Sequence, residues 1–548
     1  MARGASAAVV APHPLATAAG LGILRAGGTA VDAAIATNAV LAVVAGYACG
    51  LGGDAFWLAW DEEAGRQVGL NGSGRAGSRA EAAALRASGL AELPARGPLT
   101  VTVPGAVRSW GDAHSRFGSL PPASLLAPAI ELAGEGFPAD DAWRLAVERA
   151  AAVFAADLGP AAAGWNAVYR PAGRPWRPGE RVRLPALAST IERLASAGWD
   201  DFYSGDIGRR QAAALEAAGT PVTAADLAAH ASSWTEPLGI DYRGTRVTAH
   251  PPNSCGLVAL QILSILARME APAAAEFLPG DGGATAGPDV DWVHAGIEAT
   301  KLALADRDRW LADPERVPVP VERLLDPAYL DELASRIVPG RAATPPPAAL
   351  PPGGGTVWLG VVDRAGNAVS LVQSNFGGFG SGIVDPATGI GYQNRGTYFR
   401  LEPGHPNALA PGKRTLSTLM PGMLFRDGRP WIVLGSMGGD AQPAIHAQVV
   451  SALVDGGVDV ASAVAAPRWF PEPVAPYAPP DQVRIEPRFR AGVLPGLAAR
   501  GHRLEVVTPF DSGLGHCHAI ELVDGGPAGG GTLAAATDPR SAGLPATW

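Results

Sequence analysis

Gly355-Thr356 is the step in this sequence whose residue types could do chemistry, because a proline- and glycine-rich stretch (344–355) there meets an apolar run beginning at Val357. A threonine hydroxyl is a weak nucleophile unless a base sits beside it. Cutting the chain before Thr356 would supply that base, since the freed α-amino group has an ordinary pKa of about 7.7–8.0. Glycine at 355 tolerates the strained backbone that attack by the Thr356 hydroxyl on the preceding carbonyl requires. Taken alone, the step also fits a plain strand start. Other catalytic signatures are missing: no GxSxG elbow, no GxxxxGK[ST] loop and no HExxH helix occurs. Lys301 and Lys413 are the only lysines, which leaves few Schiff-base candidates. His516-Cys517-His518 puts two imidazoles on one strand face, but no second ligand pair has matching spacing. They read as satisfied strand histidines, and neither a metal nor an organic cofactor is expected. Gly378-Phe379-Gly380-Ser381-Gly382 lacks the strand-to-helix context of a dinucleotide loop.

The elements that must hold such a site follow from the pattern around it. Residues 344–355, rich in proline and glycine, read as an exposed linker. After it, Val357, Leu359, Val361 and Val362 form a strand, Arg364-Ala365-Gly366-Asn367 a turn, and 368–372 the return strand. Further strands are expected at 431–434 and 519–522. The first third reads as helices, Leu15 to Leu24 stopping at Gly27-Gly28 and then 30–44, with one buried strand at 56–60, and further helices are expected at 123–133, 188–197 and 289–308. Residues 33–53 are uncharged for long enough to cross a bilayer, yet they are mostly Ala and Gly and end in Gly50-Leu51-Gly52-Gly53. A buried helix running into a tight loop is the reading adopted.

Composition bounds the rest. The chain has 548 residues, 47% hydrophobic and 17% charged, so it can bury a sizeable core. A net charge of −9 argues against nucleic acid and anionic membranes as partners. Cys49, Cys255 and Cys517 are far apart and odd in number, which excludes a disulfide framework and points to a cytoplasmic, soluble protein.

Across nearly the whole chain the sequence resembles the γ-glutamyltransferase family of N-terminal-nucleophile hydrolases. The clearest segment runs from Thr356-Val357-Trp358-Leu359 through Gly366-Asn367-Ala368 to Phe379-Gly380-Ser381-Gly382. Similar blocks lie at 27–34, 50–53, 103–105, 251–254, 413–418, 435–439 and 538–540. The resemblance implies an α+β fold, a four-layer αββα sandwich formed jointly by a large chain (1–355) and a small chain (356–548) after self-cleavage. It implies a heterodimer of the two cut chains, with a dimer of such pairs as the family pattern. Thr356 takes the nucleophile position with its own α-amino group as base, Gly438 and Gly439 the oxyanion-hole position, and Ser374 that of a supporting hydroxyl. Ser417 and Thr418 match the paired substrate-binding serines.

The departures shape the expected substrate. The arginine with which γ-glutamyl enzymes hold the α-carboxylate falls at Gly72, with Arg75 three residues on, and the acidic residue for the α-amino group is replaced by Tyr398. Arg395 stands nearby as a candidate carboxylate clamp. The segment 400–412 is shorter than the lid-bearing version and lacks its tyrosine. These differences, with Gly439-Asp440 and Gln442-Pro443, resemble the divergent branch that includes oxamate amidohydrolases and acylases acting on β-lactam side chains. The expected activity is therefore an autoprocessing threonine-nucleophile amide hydrolase or acyltransferase acting on a small carboxylate-bearing amide. Its rivals are a true γ-glutamyltransferase or glutathione hydrolase, and an uncut, inactive homologue used for binding.

Overall fold

The computed structural model describes residues 1–272, 274, 277, 287–343, 355–471 and 482–548. The expected linker, apart from Gly355, lies outside the described residues. Two seven-stranded antiparallel sheets stack face to face. The first runs Leu544–Thr547, Ala8–Ala11, Gly355–Val362, Ala368–Phe376, Asp54–Asp61, Arg66–Gly72, Ser233–Thr235. The second runs Ala2–Gly4, Thr532–Ala536, His516–Val523, Arg429–Met437, Gly422–Arg426, Thr245–Ala249, Leu238–Tyr242.

Burial of the strand Gly355–Val362 on both faces explains its lack of polar alternation. Val357, Leu359 and Val361 join the core shared with the helix Ala30–Val44. Trp358 and Val362 point the other way, into the core between the sheets with Phe56, Met423 and Ile520. There the two sheets are bridged by hydrogen bonds: Trp358 Nε1 donates to Ser370 Oγ (2.9 Å), which donates to the Leu434 carbonyl (3.0 Å). Gly435 must lack a side chain, since a Cβ there would lie 2.1 Å from the Trp358 ring. Helices Gly256–Leu266, Val290–Trp310 and Gln442–Val454 cover the outer face of the second sheet. The result is the αββα order expected.

The helices at Pro14–Arg25, Ala30–Val44, Pro122–Glu135, Pro185–Ala197 and Val290–Trp310 agree with the sequence reading. So do the hairpin and the later strands, although each runs a few residues longer. The reading of the first part as nearly all helical is corrected, because seven of the fourteen sheet strands come from residues before 250. Ala8–Ala11 shows why they escaped notice: four buried apolar residues carry neither alternation nor enough length to separate strand from helix. The uncharged stretch after residue 33 is the fully buried helix Ala30–Val44 and its loop. No helix among the described residues is long and apolar enough to cross a membrane.

Candidate active site

Three anchors place Thr356. The hairpin turn supplies Asp363, whose Oδ2 accepts from the Ala30 backbone N–H (3.0 Å) at the start of the helix beneath. That helix is itself fixed by a Thr29–Asp32 capping box. On the return strand, Gln373 Oε1 accepts from Asn38 Nδ2 of the same helix (2.7 Å), and its Nε2 donates to the Gly50 carbonyl (2.5 Å). The strand carrying Thr356 is thus held in register against the helix Ala30–Val44 rather than left as a free edge.

In the uncut chain, Thr356 is buried and pairs with Ser374 across the hairpin. Thr356 Oγ1 donates to Ser374 Oγ at 3.0 Å, and the Phe376 N–H donates to the same oxygen at 2.7 Å. Ser374 Oγ in turn donates to the Gly355 carbonyl. A hydroxyl has one proton and two lone pairs, so this set satisfies Ser374 completely and directs its proton at the carbonyl before Thr356. Next to Thr356 opens a cavity of about 870 Å³, whose wall includes Met437. The residues after Met437 are Gly438 (φ 150°) and Gly439 (φ 56°), which turn the chain into the helix Gln442–Val454. A Cβ on Gly438 would lie 2.8 Å from Ile445, so both space and backbone require glycine.

Arg395 is 1% exposed. Its guanidinium lies 4.7 Å from the centre of the Phe376 ring, and Nη1 donates to Thr418 Oγ1 (3.3 Å). Nε and Nη2 have no hydrogen-bond partner among the described residues. Phe376 is the strand partner of Gly355, so this arginine sits beside the reacting end of the hairpin. Ser417 is buried one residue earlier, its Oγ occupied by the Leu419 N–H (3.3 Å). Tyr398 packs on Phe376 and donates to Asp440 Oδ1 (3.0 Å), which also takes Nη1 of the buried Arg307 (2.6 Å). Asp440 is therefore already neutralised.

Arg75 is placed elsewhere. It pairs with Glu315 (2.6 Å) and Asp313 (3.6 Å) and lines a separate cavity of about 490 Å³ with His230 and Arg316. Its charge is engaged there, so the structure does not bring it to the Thr356–Arg395 cluster.

Comparisons with known proteins cover nearly the whole chain. The family described as Gamma-glutamyltranspeptidase matches residues 16–548. The chain belongs to the γ-glutamyltranspeptidase family. It is 39% identical to the oxamate amidohydrolase proenzyme of Klebsiella pneumoniae subsp. pneumoniae, over 98% of this chain and 97% of that protein. It is 36% identical to the glutathione hydrolase-like YwrD proenzyme of Bacillus subtilis, over 98% and 97% respectively. The solved structure of a cephalosporin acylase from Bacillus halodurans superposes with a TM-score of 0.89 at 38% identity, covering 100% of this chain and 96% of that one. The chain is thus an N-terminal-nucleophile amidohydrolase of the γ-glutamyltranspeptidase family that acts through an acyl-enzyme after processing itself into two chains.

Sequence reasoning missed one group in this γ-glutamyltranspeptidase site. Asp54 lies opposite Ser374 in the sheet. Its Oδ1 accepts from the Gly74 N–H and from Gln393 Nε2, both at 2.7 Å, while the buried Oδ2 has no partner among the described residues. Burial pushes its carboxyl up to about 6, against the pull of the nearby Arg395 charge. Only an acidic residue at the start of a buried strand could have signalled it. His294, Glu298 and His502 also converge within 4.8 Å. There the two rings bond directly (2.7 Å), His294 also bonds the Val338 carbonyl (3.0 Å), and Glu298 holds Lys301 (2.7 Å).

Proposed function

We propose that this enzyme hydrolyses a small amide whose acyl half ends in a carboxylate and carries no free α-amino group, as in oxamate-type or acylase-type substrates. The observation that carries this reading is Arg395, a buried guanidinium with two unused N–H groups next to the nucleophile. Such donors take a carboxylate in paired bonds, and a ligand lacking one leaves them unsatisfied. Asp440, the acidic group nearest Tyr398, already serves Arg307 and Tyr398, so it offers an ammonium little.

Processing comes first. Thr356 Oγ1 attacks the Gly355 carbonyl carbon, its proton passes to Ser374 Oγ, and the Ser374 proton goes to the developing oxyanion. Collapse breaks the Gly355–Thr356 C–N bond, the nitrogen takes a proton, and an ester joins Gly355 to the Thr356 oxygen. Water hydrolyses that ester, leaving a Gly355 carboxylate and a free Thr356 amine. In turnover this amine removes the proton from Oγ1 as it attacks the substrate amide. The Gly438 and Gly439 N–H groups receive the oxyanion, and the amine returns the proton to the leaving nitrogen. Water then releases the acid. We also assign the enzyme to the cytoplasm, supported by three buried, unpaired cysteines.

A γ-glutamyl substrate is the second reading, favoured by the unpartnered Asp54 Oδ2, which could take an α-ammonium near Arg395. Hydrolysis rates for oxamate, glutaryl anilide and γ-glutamyl anilide, measured from pH 5 to 8, separate the two. A carboxylate without an amine should bind more weakly as Asp54 ionises, so its KM rises through about pH 6, while the Thr356 amine titrates alike for every substrate. A γ-glutamyl preference with KM falling over the same range would favour the second reading.

A further inference from the structure

The 870 Å³ cavity at Thr356 is far larger than release of ammonia requires, since a small molecule the size of water needs about 30 Å³. Its size is instead that of a site for a drug-sized group. One wall is a single face of the helix Asp141–Asp157: Ala142, Leu145, Ala146, Arg149, Ala150 and Val153 follow helical spacing. Another part of the wall is the loop carrying Phe510. Leu145 is 50% exposed and Phe510 39%, so two large apolar side chains face this open space. Arg395 is not among the described residues of the wall, and the cavity therefore meets Thr356 apart from the acyl clamp.

Charge in the wall is nearly all committed. Asp140 caps the helix at Trp143 N (2.7 Å), Arg484 lies 3.7 Å from Asp511, and Arg540 pairs with Glu486 at 2.6 Å. Arg96 faces Asp157 at 3.6 Å. His516 is held neutral near pH 7, because burial lowers it to about 4. Arg149 is the exception, with no ion pair or hydrogen bond among the described residues.

Building on the proposed amide hydrolysis, we infer that this cavity is the amine-side site, and that it selects leaving amines with a bulky apolar body ending in a carboxylate, which Arg149 meets. The helix face and Phe510 would cover the apolar body, and Arg149 would make this side specific for an anion rather than for a cation.

The test uses the processed enzyme and one acyl series, oxalyl or glutaryl, whichever it hydrolyses. Four amides are compared: the primary amide, the anilide, the 4-carboxyanilide and the 4-trimethylammonioanilide. The 4-carboxyanilide should exceed the cationic anilide at least tenfold in kcat/KM. Arg149→Gln should erase that ratio and Arg149→Glu reverse it, with primary-amide hydrolysis unchanged. Comparing each variant with the parent removes the intrinsic reactivity differences among the anilides. Equal ratios in parent and variants, or hydrolysis of the primary amide alone, would overturn this inference and leave the proposed activity standing. Turnover of neither acyl series by a correctly cut enzyme would instead remove the proposed activity, and this inference with it.

Discussion

At the scale of single residues, the account rests on a hydroxyl pair and on two buried ionisable groups, Arg395 and Asp54. Thr356→Ala should give a single uncut chain, and Ser374→Ala should slow cutting while leaving the nucleophile in place, both read by gel over a time course. Cutting of the Ser374→Ala protein at the parental rate would remove the proton relay. Arg395→Lys keeps the charge but loses the fork, so KM for the carboxylate substrate should rise roughly tenfold with kcat less affected. Asp54 makes a second, independent statement. Its folded pKa of about 6 lies above the ordinary carboxylate value of 3.8, so the native state holds this proton more tightly than the unfolded chain. Stability should therefore fall as pH rises from about 4 to 6 and stay flat above, by ~3 kcal/mol from a shift of about two pH units. Asp54→Asn keeps the acceptor for Gly74 and Gln393, and should melt a few degrees higher than the parent at pH 8 but not at pH 4. Thr356 was legible because a change of composition marked it. Asp54 was not, because an acid at a strand start has many ordinary explanations.

Among the elements, the strand-to-helix turn at Gly438-Gly439 does the most with the least sequence. In the proposed mechanism its backbone faces the oxyanion, a turn that both residues make with positive φ and that leaves no room for a Cβ on Gly438 beside Ile445. Gly439→Ala should lower kcat by about 10²-fold with little change in KM, measured on the cut fraction. The hairpin that carries Thr356 could be read from its apolar runs and its Gly366 turn. Ala2–Gly4 and Ala8–Ala11 could not, since their pairing partners lie hundreds of residues away. Arg75 shows the same limit from the other side. Proximity in sequence to the usual arginine position suggested a clamp, whereas Glu315 and Asp313, more than 230 residues on, engage its charge in the folded chain.

On the scale of the whole molecule, cutting at Gly355 divides a fold whose sheets it does not divide. In the first sheet, Ala8–Ala11 of the prospective large chain lies between Leu544–Thr547 and the Thr356 strand, both of the prospective small chain. In the second, Ala2–Gly4 and Thr245–Ala249 flank small-chain strands. Strand pairing and a shared core hold the halves, so the cut chains should co-elute on size exclusion in native buffer and separate only in denaturant. The αββα order was legible through family resemblance, because the local pattern gave the central hairpins but not the strands that bind the halves together. The most direct test of the central claim is the intact mass of the purified protein, with N-terminal sequencing of any fragment. The account predicts two chains, the smaller beginning Thr356-Val357-Trp358. A single chain that stays intact through long incubation, or a cut at any other bond, would contradict it.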